Sequence, residues 1–326
     1  MLCKWPGNKS LFLFMLFDTH THLNFKAFEE SYREVIQESL ARGVLLTNVG
    51  SQYETSLRAV EIAREFADDP VFATVGLHPV HVGTGKNAQE FDVDEVRARH
   101  GTPIEGSSSA IHEFEYEKYK ALGQDSKVIA IGECGIDYFR LPHEENDRRE
   151  VVEKQGEVFK AHIRLASELK KPLMIHCRPS KDDPRDAYRK MIEILSSFVG
   201  DVQRGGRPAF ADVPLRGVVH CFIGDIETAR GFLKLGFSIS FTGIITFKVG
   251  ARRGTPLLAD VVREVPMERI LIETDAPYLA PEPFRGKTNY PYYVEYVARK
   301  IAEIKGVSYE EVAKVTTQNA KKLFGV

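Results

Sequence analysis

Short apolar runs rich in β-branched residues recur along the chain, separated by stretches whose apolar residues fall at helical spacing. Leu13 to Phe17, Val44 to Val49, Val71 to Val75, Val128 to Ile131, Leu173 to Ile175, Val218 to Val219, Phe237 to Phe241 and Ile270 to Ile272 read as eight strands. Runs this short and this uniformly apolar suit a sheet buried on both faces. Between them, Phe28, Tyr32, Val35 and Ser39 predict one helical face, Leu57 to Phe66 a second, and Val152, Phe159, Ile163, Ala166 and Leu169 a third. Asp225 to Leu235, ended by Gly236, and the set Val294, Val297, Ile301 and Ile304 predict two more. Ser308 followed by Glu311 predicts a capped terminal helix. Strand and helix alternate, which is the order of a parallel sheet with crossover helices. Eight such units favour an α/β fold closed as a single (β/α)8 TIM barrel, with an extra C-terminal helix, over an open doubly wound sheet.

Two polar stretches, Gly83 to Lys127 and Ser197 to Arg216, break the rhythm and read as loop insertions on the barrel. At the start, Lys4 and Lys9 precede the apolar run Leu11 to Phe17, which is too short for a signal peptide and is followed by no small-residue cleavage site. Residues 1–14 are therefore expected to be a leader or tail, and residues 15–326 the barrel domain. No stretch approaches the roughly 18 apolar residues of a membrane span.

Composition narrows the function. With 43% hydrophobic and 10% aromatic residues the chain is neither disordered nor collagen-like. Forty-four Lys and Arg against forty-six Asp and Glu leave a net charge of -2, which excludes a protein that coats nucleic acid through its overall field. Any polyanion must be met locally. Cys3, Cys134, Cys177 and Cys221 are widely spaced and form no CxxC pair, so neither a disulfide framework nor a zinc finger is expected, and a reducing cytoplasm fits best.

Barrels of this kind carry reactive groups at the C-terminal ends of their strands. His20 and His22 follow the first predicted strand, His78 the third, Glu133 the fourth, His176 the fifth, His220 the sixth and Asp275 the eighth. His81, His100, His112 and His143 fall in loops and His162 on a helix. On an extended strand His20 and His22 face the same side. Joined by Glu133, His176, His220 and Asp275 from separate strand ends, they suit one or two transition-metal ions. The bland alternative makes His176 and His220 satisfied core histidines and Asp275 the cap of a turn before Pro277; convergence of the whole set on one barrel mouth weighs against it. Cys134, Cys177 and Cys221 each follow a proposed ligand, so strand alternation should turn them away as small apolar fillers between sheet and helices.

These residues sit in ordered motifs: Asp18-Thr19-His20-Thr21-His22-Leu23, Gly76-Leu77-His78-Pro79, Gly132-Glu133-Cys134-Gly135-Ile136-Asp137-Tyr138, Ile175-His176-Cys177-Arg178, His220-Cys221-Phe222-Ile223-Gly224 and Glu273-Thr274-Asp275-Ala276-Pro277-Tyr278-Leu279. From about Met15 to the C-terminus the chain resembles the TatD-related metal-dependent deoxyribonucleases. The resemblance implies a hydrolase with two divalent ions, zinc, manganese or magnesium. It places His20, His22, Glu133 and Asp275 on one ion and Glu133, His176 and His220 on the other, with Glu133 bridging. It further implies that Asp275 and Glu133 are catalytic, and that His78 and Arg178 lie near the substrate. Thr288 departs from the family, whose members usually carry an arginine there. The expected reaction is cleavage of DNA phosphodiester bonds by a metal-activated water, with RNA or aminoacyl-tRNA as further substrates. The rival is an ester or amide hydrolase such as a D-aminoacyl-tRNA deacylase. Arg178, Lys181, Arg185, Lys248, Arg252, Arg253, Arg285 and Lys287 all follow predicted strands and could give the mouth a positive field despite the balanced net charge.

Overall fold

The computed structural model describes residues 15–82, 113–203, 214–247 and 258–326, without the side chains of 199–203. The expected leader and the central parts of both expected insertions lie outside the described residues, as do His100, His112, Lys248, Arg252 and Arg253.

The apolar runs form β1 (Leu16–Thr21), β2 (Val44–Val49), β3 (Val71–Val75), β4 (Val128–Asp137), β5 (Leu173–Arg178), β6 (Gly217–Val219), β7 (Ser238–Phe241) and β8 (Ile270–Ile272). They make one eight-stranded sheet in sequence order, each strand parallel to the next. Just beyond β8 the chain returns to β1: Thr21 bridges Ala276, His22 N donates to Ala276 O at 2.7 Å, and Asp275 N donates to His20 O at 2.9 Å. Side chains reinforce the seam. The buried Asp18 carboxylate accepts from Thr274 N at 2.8 Å and from Thr274 Oγ1 at 2.6 Å. The barrel expected from the alternation is present, nearly closed.

Strand boundaries differ from the expectation by one residue at the starts of β6 and β7, and by more in three strands. β1 begins at Leu16 and runs to Thr21, β4 continues to Asp137 and β5 to Arg178. His20, Glu133 and His176 thus lie within strands rather than after them. Polar residues continue these strands because the neighbouring backbone still offers hydrogen-bond partners, with register shifts absorbed between Asp18 and Thr21 and between Ile131 and Cys134.

Alternation along the strands separates two apolar layers. Leu16, Val44, Ile131, Leu173, Val219 and Ile270 join the helices in one cluster; their neighbours Phe17, Leu45, Ala130, Met174, Val218 and Leu271 form another inside the barrel. The helices among the described residues are α1 (Tyr32–Ala41), α2 (Tyr53–Glu65), α3 (Tyr116–Gly123), α4 (Glu145–Glu168), α5 (Asp186–Gln203), α6 (Ile226–Lys234), α7 (Leu258–Glu264), α8 (Val294–Lys305) and α9 (Tyr309–Phe324). α3 corrects the reading of 83–127 as loop throughout. It has little apolar periodicity, yet its Tyr119 is buried and meets the Tyr53 ring at 5.8 Å. α5 likewise continues through the first residues assigned to the second insertion.

The terminal helix α9 starts as expected, with Ser308 Oγ accepting from Glu311 N at 3.1 Å. Its far end closes the barrel floor: Ala320, Leu323 and Phe324 join the inner cluster, and Phe324 lies 6.0 Å from the Phe17 ring. Thr317 Oγ1 donates to Met15 O at 2.7 Å and Asn319 Nδ2 to Ile270 O at 2.9 Å, fixing the helix to the starts of β1 and β8. Phe324→Ala should therefore cost about 3–5 kcal/mol. Chemical denaturation would read this, and a change under 1 kcal/mol, roughly the size of a surface substitution, would refute the plug.

Candidate metal centre

The centre begins with two glycines on β4. A Cβ on Gly132 would stand 2.2 Å from Met174 O, and one on Gly135 would stand 2.0 Å from His176 O. Both have positive φ, +145° and +147°. Only glycine lets β4 approach β5 this closely, and that approach sets Glu133 among the histidines. Gly135→Ala should lose at least about 1–3 kcal/mol from backbone strain alone. An unchanged thermal midpoint would show that β4 can be re-seated without cost.

Glu133 lies at the centre of the mouth and is almost fully buried. Its Oε2 is 3.4 Å from His20 Nε2 and 3.9 Å from His22 Nε2. Its Oε1 is 3.0 Å from His176 Nδ1, 3.1 Å from His220 Nε2 and 3.4 Å from His78 Nε2. Asp275 Oδ1 completes the first side, 3.4 Å from His22 Nε2 and 3.8 Å from His20 Nε2. All six expected ligands, and His78 with them, are brought together. Burial would raise the Glu133 carboxyl, but the His78, His220 and His20 charges outweigh it and hold the group well below its ordinary value. Asp275 is likewise lowered, against burial, by its hydrogen bond with His22 and the charges of His220 and His20.

Outer contacts decide which nitrogens are free to bind. His22 Nδ1 lies 2.9 Å from Val49 O, so it carries the proton and Nε2 presents its lone pair to the centre. His220 Nδ1 lies 3.2 Å from Glu273 Oε1, an ion-pair contact rather than a hydrogen bond, and its Nε2 faces inward, 3.1 Å from Glu133 Oε1. His176 Nε2 is 3.3 Å from Asp137 Oδ2, leaving Nδ1 toward Glu133. His78 is different: its Nδ1 accepts from Val80 N at 3.0 Å, so in the neutral ring Nε2 holds the proton. His78 is therefore set to donate into the centre rather than to ligate. Burial, and then the nearby His176, lower its pKa well below the ordinary histidine value.

Among the described residues three donor groups have ligand atoms within 4.8 Å of one another: His20, His22 and Asp275; His20, His220 and Glu273; and His78, Glu133 and His176. Imidazoles mixed with carboxylates suit divalent transition ions, and the inward-facing Nε2 atoms of His22 and His220, once deprotonated, are what such an ion requires. The thiols take no part. Cys134 and Cys177 are buried in the outer cluster, where burial pushes both thiols well up. Cys221 departs from the expectation. β6 ends at Val219, so alternation no longer governs it; it turns at φ +45° to lie half-buried, Sγ 3.7 Å from Thr242 Oγ1. Asp275 also has a left-handed backbone, φ +59°. Two strained non-glycine residues at one mouth mark a geometry that the surrounding structure must enforce.

Three carboxylates went unassigned in the sequence. Glu273 orients His220 and accepts from Cys221 N at 2.5 Å; Asp137 holds His176; Asp18 ties β1 to β8. A signal existed for Glu273, which lies two residues before Asp275. His162, assigned to a helix, is a structural histidine: Nε2 accepts from Leu77 N at 3.0 Å, Nδ1 lies 2.8 Å from Val158 O, and burial pushes its pKa down to about 4. Arg178 does not reach Glu133; its guanidinium lies 3.9 Å from the Phe139 ring centroid. Of the other expected mouth cations, Arg185 is paired with Asp225 and Glu227, and Arg285 stacks at 4.4 Å on Phe247. Thr288 is exposed, whereas the adjacent Asn289 is buried and braces the Asp275 loop through Thr274 O at 2.8 Å and Tyr278 O at 2.6 Å.

Among the described residues no helix is long and apolar enough to cross a membrane. The family model for TatD related DNase matches residues 17–325. An uncharacterized metal-dependent hydrolase, YabD of Bacillus subtilis, is 36% identical over 313 residues, covering 96% of this chain and all of that protein. A Pectobacterium parmentieri protein described as the 3'-5' ssDNA/RNA exonuclease TatD is 28% identical, covering 95% of this chain and 99% of its own. The crystal structure of the Escherichia coli TatD homolog YjjV superposes with a TM-score of 0.69 at 24% identity, over 95% of this chain and 98% of its own. An eight-stranded barrel with this mouth, matched from end to end, belongs to the TatD-related DNase family of metal-dependent hydrolases.

Proposed function

We propose that the protein cleaves phosphodiester bonds in DNA, with two divalent ions held at the mouth, zinc, manganese or magnesium. His20, His22, Glu133 and Asp275 would hold one, and Glu133, His176 and His220 the other. One observation carries this reading: the two oxygens of Glu133 face separate histidine groups, as a bridging carboxylate must. Ions bound there would lower the pKa of a coordinated water and neutralise charge on the phosphoryl oxygens. The chain's own residues do the rest. Asp275 orients the water and takes its proton. His78, with its proton fixed on Nε2, donates to a phosphoryl oxygen, and Arg178 meets the flanking phosphate. Glu273 and Asp137 keep the imidazoles of His220 and His176 in register. The nuclease description of the Pectobacterium relative supports nucleic acid as the substrate class.

A carbonyl would be polarised by the same centre, so the deciding experiment gives metal-replete protein labelled DNA and, separately, charged transfer RNA. Cleavage of DNA is expected. Deacylation without DNA cleavage would overturn the nuclease reading in favour of an ester hydrolase.

A further inference from the structure

The large apolar side chains most open to solvent among the described residues are Met15, Phe139, Ile223, Tyr278 and Val326. Met15 and Val326 begin and end the described residues. The other three come two or three residues after Asp137, His220 and Asp275, so apolar surface is left open just where the chain leaves the metal centre. Singly exposed apolar residues are ordinary on a surface; what sets these apart is their place at the exits from the metal centre.

Phe139 has the most developed surroundings. The residue is 38% exposed, with the Arg178 guanidinium 3.9 Å and the Lys181 ammonium 4.8 Å from its ring centroid. Among the described residues neither cation makes an ion pair, whereas the neighbouring Arg185 is neutralised by Asp225 and Glu227. The ring is also held in place. Phe139 N donates at 2.9 Å to Asp137 Oδ1, and the other oxygen of that carboxylate lies 3.3 Å from His176 Nε2. Arg178 pairs in register with Asp137 and follows His176 by two residues on β5, so it emerges on the same side of the strand. Ring, two positive charges without an ion pair among the described residues, and ligand histidine thus form one connected unit.

From this unit we propose that Phe139, Arg178 and Lys181 form a subsite for an unpaired nucleotide next to the scissile phosphate, the base stacking on Phe139 and the phosphate lying between the two cations. The proposal rests on the phosphodiesterase reading. Base stacking on an aromatic ring beside a backbone-tracking cation is the general means of holding a single strand without reading its sequence. In an intact duplex the base faces are covered by their neighbours, so the subsite selects frayed ends and single strands. A carboxylic ester would have no use for an exposed apolar ring beside two cations.

The test measures equilibrium binding of a fluorescent, phosphorothioate-protected single strand to the metal-replete protein, alongside KM and kcat on the unprotected strand. Phe139→Ala should weaken binding roughly tenfold or more and raise KM in step. Phe139→Trp should retain native affinity. A strand made abasic beside the cleaved bond should bind the native protein as weakly as the intact strand binds Phe139→Ala, and should lose little more on that variant, since ring and base belong to one contact. Native affinity in Phe139→Ala, or equal losses on intact and abasic strands, would overturn the subsite while leaving the nuclease reading intact. Failure of the native protein to bind or cleave any strand would instead sink the nuclease reading, and this subsite with it.

Discussion

Asp275→Asn is expected to lower turnover on DNA by roughly 10²-fold or more, as for loss of a positioned acid or base, with KM little changed. The substitution is sterically mild. Asn tolerates the left-handed backbone that Asp275 adopts at φ +59°, and the hydrogen bonds of Asp275 N to His20 O and of Tyr278 N to Asp275 O are made by the main chain, so the loop should keep its shape. What changes is charge and basicity at the atom 3.4 Å from His22 Nε2, which ceases to be an anion able to orient a water and accept its proton. His20, His22 and Glu133 remain, so metal content should fall only in part. Steady-state kinetics on the purified, metal-replete variant checks this, and near-native turnover would remove Asp275 from the chemistry.

Glu133→Ala should be harsher. Each carboxylate oxygen serves a different histidine group, so one substitution removes a donor from both sides of the centre. It also strips the buried histidines of the charge that, against burial, raises His220 and helps to raise His176 and His22. Metal content should drop further than in His20→Ala, His22→Ala, His176→Ala or His220→Ala, and turnover should fall by more than the roughly 10²-fold expected at Asp275. Elemental analysis settles the point. A variant that still bound its full complement of ions would refute the bridging role, whatever its activity.

Much of the barrel was legible in the chain because its signal is local. β2, β3 and β8 have the bounds their apolar runs predicted, since the order of strands and helices leaves few ways to bury a sheet on both faces. Missed pieces lacked a local signal. α3 is only eight residues long and fully buries one large side chain, Tyr119, with Tyr116 and Leu122 packed beside it, and β4 continues past Ile131 through Gly132 and Gly135, which fit a strand only because β5 lies so close.

The same division runs through the site. Residue type and placement after strands were enough to select His20, His22, Glu133, His176, His220 and Asp275, because a barrel delivers the ends of its strands to one mouth. Their roles depend on partners far away in the chain. The proton on His78 is placed by Val80 N, while His22 is oriented by Val49 O, His220 by Glu273 and His176 by Asp137. Cys221 left its expected face because β6 ended beneath it, and Arg178 turned to Phe139 rather than to the ligands. Composition and periodicity determine which groups reach the mouth, since both are properties of short segments. Which nitrogen carries a proton, which oxygen faces which ring and which cation an ion pair neutralises are decided only by the tertiary structure, because each depends on angstrom-scale distances between segments that the sequence alone does not bring together.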